Sequence, residues 1–167
     1  MHVGTPSAQL HPSLAPLAFL VGAWRGEGRG LWNAATPFRY LEEVVFAAPP
    51  GKPFLSYTQR TWALDDGRPM HAEAGFLRPG DGHAVEFVLA QPTGFAEVQV
   101  GPLEGWQLTL HAASLGRSPT ALNVTAIERR IWREGDALRY LVRMAMNGEP
   151  AADHLSAELT LAAAPPA

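Results

Sequence analysis

The sequence predicts an all-β fold: a closed up-and-down antiparallel barrel of about ten strands, with one short helix near the N-terminus. After residue 21 the apolar residues follow a twofold period, in short runs that end at Gly, Pro or Asp, which is typical of half-buried strands. The breaks between the runs have hairpin length and leave no space for the crossover helices of a parallel sheet. Closure would remove the two exposed edges of an open sheet, and a sandwich is the structural alternative.

The elements can be assigned in order along the chain. Residues 13–20 predict one or two helical turns with Ser13 as the capping residue. No internal repeat or dividing linker interrupts the sequence, so we expect one domain over residues 1–167, with residues 1–12 as a flexible N-terminus. The candidate strands are residues 22–32, 38–47, 53–62, 70–77, 84–91, 94–100, 106–112, 122–133, 137–146 and 154–161.

Composition and charge exclude several classes of function. The sequence contains no cysteine, which excludes disulfides, thiolate zinc sites, iron–sulfur clusters and covalent c-type haem, and fits a reducing compartment. The net charge of −3 comes without a basic patch, so nucleic-acid binding is not expected. The longest apolar stretch, residues 14–23, is shorter than the ~20 residues that span a bilayer. The N-terminus lacks the basic region of a signal peptide, and we expect a soluble, cytoplasmic protein without membrane partners.

The first candidate strand carries an unusual glycine pattern that begins at Gly22. Trp24, Gly26, Gly28 and Gly30 alternate along one side of this strand. Glycine weakens a strand unless the strand bends sharply or another group approaches its backbone. Two interpretations stay open: a tryptophan plug at the closed end of a barrel, or direct contact with a ligand. A barrel of ten strands is wide enough to hold a ligand, as lipocalin-like and fatty-acid-binding-protein-like barrels do.

Two histidines are candidates for the lumen. His71 follows Met70 where a turn enters a strand, and His154 opens the last candidate strand. Neither has the spacing of a zinc site, and a single histidine most often has a structural or solvent-facing role. Simple alternation places Leu155 on the apolar face and His154 on the polar face. His154 can therefore point inward only before regular pairing begins or at a β-bulge.

The remaining polar residues give no hydrolytic constellation. His2, His11 and His83 are expected in solvent, and His111 near a strand end is uninformative. Glu42 and Glu43 are adjacent and hence on opposite faces of a strand, so they cannot act as an acid–base pair. Ser56, Thr58 and Thr93 stand outside any nucleophile motif such as G-x-S-x-G.

Taken together in their order, several blocks of this sequence resemble the nitrobindin family over nearly the whole chain. The family's G-x-W-x-G-x-G motif corresponds to Gly22, Trp24, Gly26 and Gly28. The family's x-His-Leu segment corresponds to Asp153-His154-Leu155. Further similar blocks are residues 38–43, 51–59 and 69–75.

This resemblance implies a single nitrobindin-like barrel that binds one haem b per subunit non-covalently at one mouth. His154 would be the axial ligand of the iron, and Met70 and His71 would lie on the distal side. It also implies two small-molecule ligands, nitric oxide and peroxynitrite, with peroxynitrite isomerised to nitrate at the ferric haem, so that the iron carries the chemistry. Association as a homodimer is left open.

The sequence departs from the family pattern at two haem-contact positions. Where family members carry Tyr-Pro-Thr-Ile, this chain has Trp32, Asn33, Ala34 and Ala35, so the threonine hydroxyl is absent. A lysine near the start of the eighth strand is replaced around Leu122-Asn123, and Lys52 is the only lysine. These departures favour the alternative function, a non-catalytic carrier of an apolar small molecule, whereas His154 favours the haem protein.

Overall fold

The computed structural model describes residues 10–32 and 36–162 and confirms the predicted closed barrel. Ten antiparallel strands pair with their neighbours in chain order, and the first strand also pairs with the last, which closes the sheet. A 3₁₀ helix over Pro12–Leu20 precedes the strands. The ten strands are β1 (Gly22–Trp32), β2 (Thr36–Ala47), β3 (Leu55–Ala63), β4 (Pro69–Pro79), β5 (Ala84–Ala90), β6 (Phe95–Glu104), β7 (Gln107–Arg117), β8 (Val124–Glu134), β9 (Ala137–Met146) and β10 (Ala152–Leu161).

The N-terminal helix differs from its prediction in type and in its cap. His11 is the capping residue, because its Nδ1 accepts a hydrogen bond from the backbone N–H of Ser13 at 3.2 Å. The prediction of Ser13 as the cap is therefore wrong. Pro12 has no N–H to be capped, and Pro16 cannot donate to an α-helical ladder. The predicted flexible segment, residues 1–12, lies mostly outside the described residues.

Strands β6 and β7 are longer than the sequence indicates. Gly101 and Pro102 predict the end of a strand after residue 100, yet β6 continues to Glu104. Pro102 is paired with Ala84 at the very start of β5, where a missing N–H is tolerated. The remaining strands keep their predicted places within a few residues.

The helix closes one end of the barrel together with Trp24. The Trp24 ring is fully buried, and its indole N–H donates to the Leu20 carbonyl at 2.7 Å. A Cβ on Gly28 would overlap the Tyr40 ring, and one on Gly26 would overlap the backbone of Glu158. The glycine pattern therefore permits close packing across β1, and the predicted burial of Trp24 is confirmed.

The interior changes character along the barrel axis. Near the helix it is apolar and tightly buried, with residues such as Leu55, Leu77, Leu108 and Leu159 at 0% exposure. Toward the opposite end it contains buried polar side chains and a cavity. Among the described residues, no helix has the length and apolar character needed to cross a membrane.

Candidate functional site

The open end of the barrel holds a cavity of about 360 Å³. One part of its wall is apolar and comes from β6, β8, β9 and β10, with residues such as Phe95, Ile127, Val142 and Leu155. Its polar lining includes Tyr40, Gln59, Glu73, Glu97 and Arg129, together with His71 and His154, and the apolar Met70 lies beside His71. The cavity thus combines an apolar wall with a few convergent polar groups, which is the usual composition of a small-molecule site.

His154 reaches this cavity because β10 is irregular at that residue. Asp153 pairs with Arg143 of β9 and Leu155 pairs with the next residue, Val142, so His154 is the extra residue of a β-bulge. The bulge lets His154 and Leu155 line the same cavity although they are adjacent in sequence. Alternation alone would place His154 on the outer face. The sequence allows an inward-pointing His154 only before regular pairing begins or at a β-bulge, and the structure has the bulge.

The His154 ring is oriented by the backbone of β1. Its Nδ1 lies 3.1 Å from the carbonyl oxygen of Leu31, so Nδ1–H can donate to that carbonyl. Coordination of a metal by this ring would therefore use Nε2, in the arrangement by which proteins commonly orient a ligating imidazole. Burial lowers the pKa of His154, and a charge on His71 would lower it further. Both effects favour the neutral ring.

Met70 and His71 reach the cavity through a second irregularity, in β4. Arg60 pairs with Ala72 and Trp62 with Pro69, so Thr61 of β3 stands opposite both Met70 and His71. The Thr61 hydroxyl accepts from the His71 N–H at 2.8 Å and donates to the His71 carbonyl at 3.3 Å. Both side chains line the cavity, and Met70 is 43% exposed at its rim.

A buried ion pair lies behind His71. Arg129 of β8 donates two hydrogen bonds to Glu73 of β4, each 3.1 Å long, and both side chains are 4% exposed. Tyr57 also donates to Glu73 at 3.2 Å, and the His71 Nε2 lies 3.6 Å from the same carboxylate. Burial alone would raise the pKa of Glu73, but the Arg129 guanidinium and the adjacent His71 side chain together outweigh burial and hold the pKa at about 2. Glu73 is therefore a permanent anion.

A second buried cluster contains Glu42, Gln59, Tyr40 and Tyr140. The Tyr140 hydroxyl donates to both carboxylate oxygens of Glu42, at 2.8 and 3.0 Å, and the Gln59 amide also donates to Glu42. The hydroxyls of Tyr40 and Tyr140 lie 2.8 Å apart. Burial raises the pKa of Glu42 to about 7, although the two donors act against this shift. Glu42 therefore changes its charge near neutral pH.

Parts of the polar lining lack hydrogen-bond partners within the described chain. The side-chain oxygen Gln59 Oε1 and the nitrogen Arg129 Nε line the cavity and are buried without a partner there. Buried polar atoms are nearly always satisfied in proteins, by protein groups or by ordered water. These atoms are therefore available to bind ordered water or a polar ligand in the cavity.

Spacing in the sequence did not identify these two clusters, because their members come from strands distant along the chain. Arg129 stands between the inward-facing Ile127 and Ile131, and Gln59 stands between Tyr57 and Thr61. The sequence signal that could have indicated the two clusters was the presence of polar residues at inward-facing positions of alternating strands. Glu42 and Glu43 do lie on opposite faces, as predicted: Glu42 is buried, whereas Glu43 pairs with Arg25 outside.

The two departures from the family pattern differ in what the structure shows. Ala34, in place of the family's threonine, lies outside the described residues. Leu122 is described: it is 47% exposed and lines the cavity directly before β8. His83 is exposed in a turn, as predicted, and His111 is exposed within β7.

Comparison with known proteins gives consistent matches over most of the chain. Residues 13–160 match the family model described as THAP4-like, heme-binding beta-barrel domain. Peroxynitrite isomerase 2 of Mycobacterium avium (strain 104) is 46% identical over 154 residues, which cover 90% of this chain and 95% of that protein. Peroxynitrite isomerase 1 of Mycobacterium tuberculosis (strain ATCC 25618 / H37Rv) is 45% identical over 157 residues, with the same two coverages. The crystal structure of Rv2717c from M. tuberculosis is similar with a TM-score of 0.87 at 44% identity, covering 93% of this chain and 100% of that one.

Proposed function

This chain belongs to the THAP4-like, haem-binding β-barrel family, the nitrobindin family that its motifs resemble, and we propose that it is a haem-dependent isomerase that converts peroxynitrite to nitrate. The observation that carries the proposal is the position of His154, turned by a bulge into the cavity at the open end. Relatives that are 45–46% identical over about 90% of the chain bear the name peroxynitrite isomerase. A cytoplasmic location, which the cysteine-free sequence favours, is part of the proposal.

The residues of the cavity fit a haem. His154 would hold the iron through Nε2, while the Leu31 carbonyl fixes the ring through Nδ1. The apolar wall with Ile127, Val142 and Leu155 suits the faces of a porphyrin. The binding would be that of a non-covalent haem b, one per chain, since the sequence offers no cysteine for covalent attachment.

The other groups of the cavity would receive the substrate. Ferric haem would supply a Lewis-acidic iron that can polarise a peroxo oxygen and can also bind nitric oxide. Met70 and His71 would border the distal side, where Met70 limits access from the rim and His71 offers a polar group. Thr61 fixes the His71 backbone through its two hydrogen bonds, which keeps this side chain in place.

The ion pair of Glu73 and Arg129 disfavours the alternative function, a carrier of fatty-acid-like molecules. Such a ligand brings a carboxylate that needs a cation in the barrel. Arg129 is the buried arginine of the cavity, and both of its terminal nitrogens already bind Glu73. The two terminal nitrogens that would bind a ligand carboxylate side by side are therefore occupied by a carboxylate of the chain itself, and Nε alone of the Arg129 nitrogens has no partner within the described chain.

The proposal is tested by replacing His154. We expect His154→Ala to lose the five-coordinate haem spectrum in a hemin titration and the catalysed decay of peroxynitrite in stopped-flow measurements, because the iron loses its ligand. His71→Ala should retain haem with a changed distal environment. His83→Ala, in an exposed turn, is the matched control and should leave both readouts unchanged. Unchanged hemin affinity and spectrum in His154→Ala would contradict the assignment and favour the carrier.

A further inference from the structure

All three tyrosines of this chain lie buried inside the barrel, and two of them contact each other through their hydroxyls. Tyr40, Tyr57 and Tyr140 are 2%, 4% and 7% exposed. The Tyr40 and Tyr140 hydroxyl oxygens are 2.8 Å apart, and Tyr40 also lines the cavity. Burial raises the pKa of both phenols, so both keep their protons at physiological pH.

The partner of Tyr140 is a carboxylate that can take its proton. Tyr140 donates to both oxygens of Glu42, and the other donor to Glu42 is the neutral amide of Gln59. The phenol protons therefore form a directed chain from Tyr40 at the cavity, through Tyr140, to Glu42. A phenol loses an electron more readily when an adjacent base accepts its proton at the same time.

Tyr57 provides an internal comparison within the same barrel. It also donates to a buried carboxylate, Glu73, at 3.2 Å. Glu73, however, is already bound through both oxygens by Arg129, which makes it a poor proton acceptor. The pKa values agree with this difference, since that of Glu42 is raised to about 7 and that of Glu73 is lowered to about 2.

We propose that Tyr40 and Tyr140 form an electron-donating site, at which Tyr140 reduces one-electron oxidants of the nitrogen-oxide class that enter the barrel and Glu42 takes the phenol proton. This goes beyond isomerisation, because it gives the protein a second reaction with reactive nitrogen species. It also predicts where the protein is itself modified by them.

The reaction is balanced for nitrogen dioxide as the oxidant. One electron passes from Tyr140 to nitrogen dioxide, which becomes nitrite; the phenol O–H bond breaks, and its proton forms an O–H bond on Glu42. Tyr140 becomes a neutral phenoxyl radical, whose oxygen keeps a hydrogen bond from Tyr40. A second nitrogen dioxide can then form a C–N bond at the ring carbon next to the hydroxyl-bearing carbon. The hydrogen on that carbon leaves as a proton, and the ring oxygen takes a proton back from Glu42, which gives 3-nitrotyrosine and restores the Glu42 carboxylate.

The experiment uses the haem-free chain and an oxidant that does not derive from peroxynitrite. Nitrogen dioxide is generated by pulse radiolysis of nitrite in N₂O-saturated buffer at pH 8, above the pKa of about 7 for Glu42. Tyrosyl formation is followed by absorbance and by freeze-quench electron paramagnetic resonance, and peptide mass spectrometry locates the nitrated residues. We expect the radical and the nitration at Tyr140 and Tyr40, with Tyr57 at least about tenfold less modified, equivalent to about 1.4 kcal/mol in barrier.

Two substitutions at neighbouring residues test whether the tyrosyl yield depends on the base at Glu42 or falls with any Glu-to-Gln change on this strand. Glu42→Gln keeps a hydrogen-bond acceptor for Tyr140 but removes the base, and should lower the tyrosyl yield about tenfold. Glu43→Gln makes the same chemical change on the outer face of the same strand and should leave the yield unchanged. Circular dichroism verifies that both variants are folded.

The outcomes distinguish this proposal from the isomerase proposal. Equal tyrosyl yields in Glu42→Gln and Glu43→Gln would overturn it. Nitration mainly at Tyr57, or oxidation confined to tryptophans such as the exposed Trp106, would overturn it as well. Because the experiment contains neither haem nor peroxynitrite, its failure leaves the isomerase proposal intact, and a failure of haem binding in the His154 experiment leaves this one intact.

Discussion

Glu42 couples the stability of the protein to pH at the scale of a single residue. Its pKa is raised to about 7 in the folded protein from about 4.5 unfolded, so the folded state binds the extra proton between these values. The stability it contributes is present below pH 4.5 and is lost as the pH rises through 7. Between pH 4.5 and pH 8, the free energy of unfolding of the wild type should fall by up to about 3 kcal/mol relative to that of Glu42→Gln. Urea unfolding of both proteins across this range measures the difference; parallel profiles would contradict the expectation.

Individual residues also mark the limit of what the sequence could predict. The opposite faces of Glu42 and Glu43 follow from alternation and are confirmed. The contact of Glu42 with Tyr140 joins β2 to β9, nearly a hundred residues apart in sequence, and no local pattern contains that information. Candidate roles for such residues depend on register around a closed barrel, which only the structure provides.

Strands were predicted better than their irregularities. Twofold alternation located all ten strands, because one face of each is buried and the other faces solvent. The bulges at His154 and beside Met70 and His71 each add one unpaired residue, which changes no hydrophobic period by itself. Their places at strand ends made His71 and His154 candidates for the lumen, and the resemblance to the family added Met70 and the proposed roles of all three at a haem. Their role as haem contacts stays a prediction.

The glycines of β1 allow a test at the scale of the element. A Cβ at Gly28 would overlap the Tyr40 ring, whereas a Cβ at Gly116 in β7 would have nothing within 4 Å. We expect Gly28→Ala to lower the free energy of unfolding by about 1–3 kcal/mol, the usual cost of overpacking. Gly116→Ala is the matched control and should change it little. Equal decreases in the free energy of unfolding for the two variants, measured with urea, would show that the close approach of the Tyr40 ring is not what requires glycine at position 28.

At the scale of the whole molecule, the residues that stabilise the fold and the residues that line the cavity lie toward opposite ends of the barrel axis. The apolar end contains the helix and Trp24, and the polar end contains the cavity with His71 and His154. Closure of the sheet holds both ends in one unit, with β1 paired to β10 directly below the His154 bulge. The sequence predicted this closure and the burial of Trp24, but it did not predict the polar middle layer between the two ends.

Replacing Trp24 tests this separation. Trp24→Ala removes a fully buried ring and its hydrogen bond to the Leu20 carbonyl, and should lower the free energy of unfolding by about 3–5 kcal/mol. Trp106→Ala removes a ring that is 57% exposed and should cost clearly less. Provided that Trp24→Ala remains folded, its hemin affinity should equal that of wild type, because the ring lies at the end opposite His154. A small decrease in the free energy of unfolding, measured with urea, would contradict the role of Trp24 as a plug. Weakened hemin binding in the folded variant would show that the two ends are coupled.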